Sequence, residues 1–140
     1  IADCDSSVSP DQVDELYKYK DFDIVIGSKY MGNKQKRSTV RYIISLTMNF
    51  ITHKLLNTKI KDHYCGFKLF KYKIAKDIFL KLRTNGVAFS AEILHISKKL
   101  NLSIYEKSIV WNDSKGSKMK YFDFFSIFID IIKIKFFHKL

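Results

Sequence analysis

The sequence holds one proline, two cysteines and five glycines among 140 residues. So little proline and glycine excludes a collagen-like or low-complexity chain. With no linker or internal repeat to divide it, one folded unit is expected. The two cysteines, Cys4 and Cys65, lie far apart without metal-ligand spacing. They exclude a multi-bridge disulfide scaffold; a single bridge is open to them, and a reduced cytosolic setting is the simpler reading. No apolar run reaches the roughly 18 residues that a membrane-spanning helix needs. A signal peptide is missing too: the chain opens at Ile1, without a Met, inside what reads as a strand end, as a fragment would. Acidic residues are scarce, 14 Asp and Glu against 25 Lys and Arg, for a formal net charge of +11. Such a surface attracts nucleic acid, anionic lipid or phosphorylated substrates, or serves solubility alone. No nucleic-acid-binding motif accompanies the charge.

What the chain does have is large apolar side chains: 46% of residues are hydrophobic and 15% aromatic, enough to build a core. Ser9 and Pro10 predict a helix start and a helix over about 10–19. The β-branched run 23–27 predicts a buried strand stopped by Gly27. A basic loop covers 29–37, and helical spacing covers 38–56, with Asn57 as its stop. A strand is predicted at 67–70, a helix at 73–83 and a helix at 89–100. Two strands follow, at 102–106 and 108–111, and a helical tail runs over 120–140. Mixed strands and helices with buried, parallel-looking strands point to an α/β layer fold.

Five segments carry candidate chemistry. Asp3 and Asp5, one residue apart at a strand end, can face one hard cation of the Mg2+ or Mn2+ kind, or simply form an acidic turn that caps the next helix. Arg41, Ser45, Asn49 and His53 fall at successive four-residue steps, one polar seam on a helix. That seam suits a phosphate held beside an apolar chain, or is an ordinary polar stripe. Asp62 to Lys68 is a polar-to-apolar junction in which Gly66 permits close backbone approach. There Asp62 is placed to accept from a sugar hydroxyl or to cap a turn, and His63, like His53, reads as an isolated surface or core histidine and not as a metal ligand. Trp111 to Lys118 runs from a strand into a Gly/Ser/Lys loop, a phosphate grip or a solvated hairpin. In the tail, Asp123, Ser126, Asp130 and Lys133 interrupt a wide aromatic and β-branched face. That pattern favours lying in a membrane interface over crossing it, with packing against another part of the protein as the rival reading.

Taken in order, six segments resemble motifs of the family-2 glycosyltransferases, and within them of the dolichyl-phosphate mannose and glucose synthases. Asp3-Cys4-Asp5-Ser6-Ser7 with Pro10 is similar to the family's D-A-D-x-S/Q…P metal motif. Asp23 to Tyr30 resembles D-V-V-x-G-S-R-Y, and Arg41 to Asn49 resembles R-x-x-x-S-x-x-x-N. Asp62 to Phe67 is similar to D-x-x-C/S-G-F, Gly86 to Glu92 to G-x-x-F-D-x-E, and Trp111 to Lys118 to W-x-x-x-x-G-S-K. Ser90 stands where many members carry Asp, and Lys29 where Arg is usual.

The resemblance implies a GT-A-type (Rossmann-like) mixed sheet flanked by helices. It would be incomplete at the N-terminus, with residues 1–118 as its C-terminal half and 119–140 as an amphipathic membrane-interface helix. It implies an inverting transferase that moves a hexose from a nucleotide-sugar (UDP-glucose or GDP-mannose) to a polyprenyl or dolichyl phosphate, at the cytoplasmic face of a membrane. Its catalytic residues would be Asp3, Asp5 and Asp62, and its donor contacts Asp3, Asp5, Gly66 and Glu92. Acceptor-phosphate contacts would come from Lys29, Arg41, Ser45 and Lys118, and Mg2+ or Mn2+ would sit on Asp3, Asp5 and Ser7. Nucleic acid is not among the expected partners. The competing expectation is a non-catalytic basic membrane-surface module, or a transferase fragment inactive alone.

Overall fold

A computed structural model describes residues 1–3, 7–31, 39–112 and 121–137. A 3₁₀ turn at Pro10–Gln12 leads into α1 (Val13–Tyr17). Then come β1 (Ile24–Ser28), α2 (Thr39–Leu56), β2 (Lys68–Phe70), α3 (Tyr72–Phe79), α4 (Phe89–Lys99), β3 (Ile104–Ser108) and α5 (Tyr121–Phe137). The architecture is mixed α/β, with a three-stranded mixed sheet in the order β2-β1-β3.

β1 is central because every one of its five residues is buried, and its side chains alternate between two apolar layers. Ile24 and Ile26 pack with Ile78 of α3 and with Ile93, Leu94 and Ile96 of α4. Val25 points the other way, towards Leu16 of α1, Phe67 and Ile109. Helices therefore cover both faces. A third cluster joins α2, the start of α4 and α5, through Met48, Leu56, Ala88, Ala91, Ile127, Ile131 and Ile134. The tail helix thus buries one face against the rest of the chain. Its other face exposes Phe125 and Phe136.

Several elements depart from the sequence expectation. β1 and β3 are parallel, but β2 runs antiparallel to β1, so the sheet is mixed. Gly27 does not stop β1; the strand continues through Ser28, and the missing side chain admits Ile109, whose Cδ1 would lie 2.9 Å from an added Cβ. The two strands expected at 102–106 and 108–111 are one, paired with β1 along its whole length. The helix expected to reach 83 stops at Phe79. Asn57 does end α2, at φ 51°, in the left-handed conformation that asparagine tolerates. No helix among the described residues is long and apolar enough to cross a membrane.

Candidate active site

Three chain segments converge at one end of the sheet. The opening residues run along the outer edge of β2: Ile1 N donates to Lys68 O at 2.9 Å, and Lys68 N to Ile1 O at 3.1 Å. That pairing carries Asp3 to the end where β1 stops and β2 begins. β1 delivers Lys29 there, and the segment after β3 delivers Trp111. Gln12 fixes that segment in the manner of an extra backbone pairing, since Val110 N donates to its Oε1 and its Nε2 to Val110 O, both at 2.7 Å. Asn112 N also donates to the carbonyl of buried Ser7 at 2.8 Å. The result is a cleft of about 80 Å³ lined by Asp3, Lys29, Tyr64, Gly66, Phe67 and Trp111, among others. Ligands commonly bind beyond the carboxyl ends of parallel strands in α/β proteins.

Asp3 and Gly66 require each other. A Cβ built on Gly66 would fall within the Asp3 carboxylate, so only glycine lets that carboxylate lie on the turn. Opposite it, the Lys29 ammonium stands over the Trp111 ring at 5.4 Å and the Tyr30 ring at 5.6 Å. Those faces favour a cation and hold the charge at the mouth of the cleft. Asp62 is fully buried behind Lys29. Its Oδ2 accepts from Lys29 N at 3.1 Å, while its Oδ1 has no hydrogen-bond partner among the described residues. Glu106 of β3 holds the same loop from below, accepting from Lys61 N at 3.0 Å and Asp62 N at 2.9 Å. Tyr30 joins the Lys29 turn to α2 through a hydroxyl contact with Ser45.

Of the residues singled out from sequence, Asp3, Lys29 and Gly66 therefore meet in one cleft, with Asp62 bonded behind it and Ser45 linked through Tyr30. Glu92 is not brought to it: its buried carboxylate accepts from Arg83 N at 3.0 Å and Thr84 N at 2.9 Å. Asp5, Lys118 and the side chain of Arg41 lie outside the described residues. The polar seam of α2 divides, His53 facing out and Asn49 turning inward. Sequence reasoning passed over Gln12 and Glu106, and gave Tyr30 no role beyond its place in the 23–30 motif; nothing in their local patterns signals the long-range bonds that they make.

His63 is structural. Asn49 Oδ1 accepts from His63 N at 2.8 Å and stands 3.2 Å from Nδ1, while Thr58 Oγ1 lies 2.5 Å from Nε2. The neutral ring with its proton on Nδ1 satisfies both partners. Burial first, then the nearby His53 and Lys68 charges, push its pKa down to about 4 from 6.5. The unfolded chain therefore binds this proton more readily, and the stabilisation present above pH 6.5 is lost as pH falls towards 4. We expect this residue to cost the fold about 2–3 kcal/mol between pH 7.5 and 4.5. Urea unfolding at the two values, compared with a His63→Gln variant, measures it; equal pH slopes would contradict the assignment. Burial likewise raises the Tyr64 phenol to about 12 and the free Cys65 thiol to about 11.

No protein-family model matches the chain. Its homologues are nevertheless family-2 glycosyltransferases, which it matches over most of its own length at 30–39% identity. Over 136 residues, 97% of its length, it is 34% identical to the dolichyl-phosphate beta-glucosyltransferase ALG5A of Trichomonas vaginalis, covering 42% of that protein. It is 39% identical over 105 residues to the dolichyl-phosphate beta-glucosyltransferase of Dictyostelium discoideum, covering 72% of this chain and 31% of that one. The Saccharomyces cerevisiae enzyme of the same name is 34% identical over 115 residues, 79% of this chain and 33% of that one. The chain thus spans about two-fifths or less of the length of the curated relatives it matches.

Proposed function

We propose that this chain forms the acceptor-facing part of a GT-A-type inverting glycosyltransferase that moves glucose from UDP-glucose to dolichyl phosphate. One observation carries the reading: the Asp3 carboxylate, the Lys29 ammonium and the Gly66 turn share one cleft beyond the ends of β1 and β3. The relatives' names supply the sugar, the acceptor and the β product.

The chemistry suits these groups. A phosphate monoester is already ionised near neutral pH, so its oxygen needs no strong base before attacking the anomeric carbon. The new C–O bond forms on the face opposite the leaving group. The bond to the nucleotide diphosphate breaks, and its electron pair stays with the departing phosphate oxygen. Inversion of an α-linked donor gives a β product. Lys29 is placed to meet a phosphate, and its aromatic neighbours keep the ammonium oriented. In this reading Arg41, Ser45 and Lys118 complete the acceptor contacts.

Asp3 and Asp5, with Ser7, would hold Mg2+ or Mn2+. Among the described residues no group of three His, Cys, Asp or Glu could hold a metal. Asp3, with a hard carboxylate in an open polar cleft, fits a cation shared with substrate phosphates and not one enclosed by protein. When bound, such a cation neutralises charge on the leaving diphosphate.

The membrane placement rests on apolar exposure together with the +11 charge. α2 leaves Ile43 and Phe50 in solvent, α5 leaves Phe125 and Phe136, and Lys54, Lys133 and Lys135 stand among them. Apolar side chains interspersed with lysines suit the surface of an anionic bilayer, at its cytoplasmic face.

The test is transfer of radiolabel into extractable lipid by the full natural polypeptide carrying this segment. Label from UDP-glucose should enter dolichyl phosphate at least about 100-fold faster than label from GDP-mannose. Vesicle binding with no lipid product from either donor would instead favour a non-catalytic membrane-surface module.

A further inference from the structure

Beneath the cleft lies a charged residue that the chemistry above does not use. Lys68, the first residue of β2, is 3% exposed and places its ammonium inside the protein. Its neighbour Ser90, at the start of α4, is also 3% exposed. The bonds between them have a definite direction. Lys68 Nζ donates to the Cys65 carbonyl and, at 2.5 Å, to Ser90 Oγ; Ser90 Oγ in turn donates to the His63 carbonyl at 2.7 Å. Two carbonyls of the 62–67 loop are thereby drawn inward, one directly and one through the serine.

A buried ammonium is costly unless it is hydrogen-bonded and its charge compensated. Among the described residues the Lys68 ammonium donates to neutral oxygens; burial lowers its pKa, and the Asp62 and Asp3 charges across the loop oppose that shift. The loop in question carries Gly66, against which the Asp3 carboxylate rests. Its other end is fixed by Glu106 on Asp62 N and by Asp62 on Lys29 N. Without the Lys68 and Ser90 bonds, the stretch between Asp62 and Phe67 would keep Asn49 on His63 N and Gly27 N on Phe67 O, but the His63 and Cys65 carbonyls next to Gly66 would lose the donors that draw them inward. Only the Ser90 hydroxyl can both accept from the ammonium and donate to a carbonyl; an ionised carboxylate at position 90 would do only the first.

We propose that Lys68 and Ser90 form a buried latch of positioning residues that sets the Cys65–Gly66 turn against Asp3 and so fixes the geometry of the transfer cleft. This rests on the functional reading above. Two readouts on the full natural polypeptide separate the two ideas. The first is the rate at which Cys65, a buried free thiol, is labelled by a maleimide, followed on its own peptide by mass spectrometry. The second is kcat and acceptor KM for glucose transfer.

Ser90→Ala, the milder change, and Lys68→Met should each raise Cys65 labelling at least about 10-fold in a protein that still unfolds cooperatively. They should lower kcat about 10- to 100-fold and leave acceptor KM within about 3-fold. Ser90→Thr, which keeps the hydroxyl, should restore most of both. If Lys68→Met fails to fold, Ser90→Ala with its threonine rescue decides alone. Unchanged labelling in folded Ser90→Ala would overturn the latch. Raised labelling with unchanged kcat would overturn its positioning role. Raised labelling in a protein whose unaltered form transfers no sugar would keep the latch and sink the transferase reading instead.

Discussion

Substituting alanine for Gly66 is expected to reduce glucose transfer about 100-fold or more, because a misplacement near 1 Å at a reacting centre has that cost. The methyl group would occupy the space of the Asp3 carboxylate, so either the carboxylate leaves the turn or the turn leaves the cleft. Moving the turn would disturb Cys65 and Phe67, which pack with Leu16, Val25 and Ile109. Asp3 is exposed, so its carboxylate is the group that yields, and no core cluster is emptied. Activity should therefore collapse while the melting temperature changes by only a few degrees. Initial rates on dolichyl phosphate, measured beside a thermal melt, separate these effects. A folded Gly66→Ala variant with near-normal transfer would mean that the contact between residues 3 and 66 has no part in the reaction.

Residues tied to short backbone signals or to the family's short motifs were the legible part of this site. Asp3, Lys29 and Gly66 each sit where a strand meets a turn, and a β-branched run or a glycine marks such places. The structure joins them because β1 and β2 meet at one end and the opening residues pair along the edge of β2. Long-range anchors were not legible. Gln12 holds Val110 across 98 positions and Glu106 holds Asp62 across 44, and no local period encodes either bond. Orientation was equally hidden. Glu92 lies on α4 with its carboxylate turned back to the amides of Arg83 and Thr84, and Asn49 turns inward to the His63 backbone. Asn49 looked available from the four-residue spacing, and Glu92 from the motif that it resembles.

The strands at β1 and β2 fell where they were expected, but the direction of β2 and the unity of β3 were hidden for related reasons. β2 is only three residues long and begins with a buried lysine, so its composition said nothing of its antiparallel direction. β3 is half-buried at every position, and its edge place in the sheet blurs the alternation that marks a one-sided strand. The tail shows both of the faces weighed from sequence. Ile127, Ile131 and Ile134 pack inward, and Phe125 and Phe136 remain outside.

The proposed function turns on the Asp3 carboxylate, acting at the cleft in which sugar would pass to a lipid phosphate. The chain holds it there by edge pairing to β2 and by the bare Gly66 backbone, an arrangement suited to a cation shared with the donor's phosphates. Removing an electrostatic group that acts on developing charge typically costs two to three powers of ten. Asp3→Ala in the full natural polypeptide should therefore lower transfer from UDP-glucose to dolichyl phosphate about 1,000-fold, with the fold intact. Adding Gly66→Ala to that variant should then cost less than about 3-fold more, since the new methyl group has no carboxylate left to displace. The direct measurement is this double-mutant cycle, read as initial rates of labelled lipid formation. A large first loss with a near-silent second one is the predicted result, and undiminished transfer by Asp3→Ala would contradict the account.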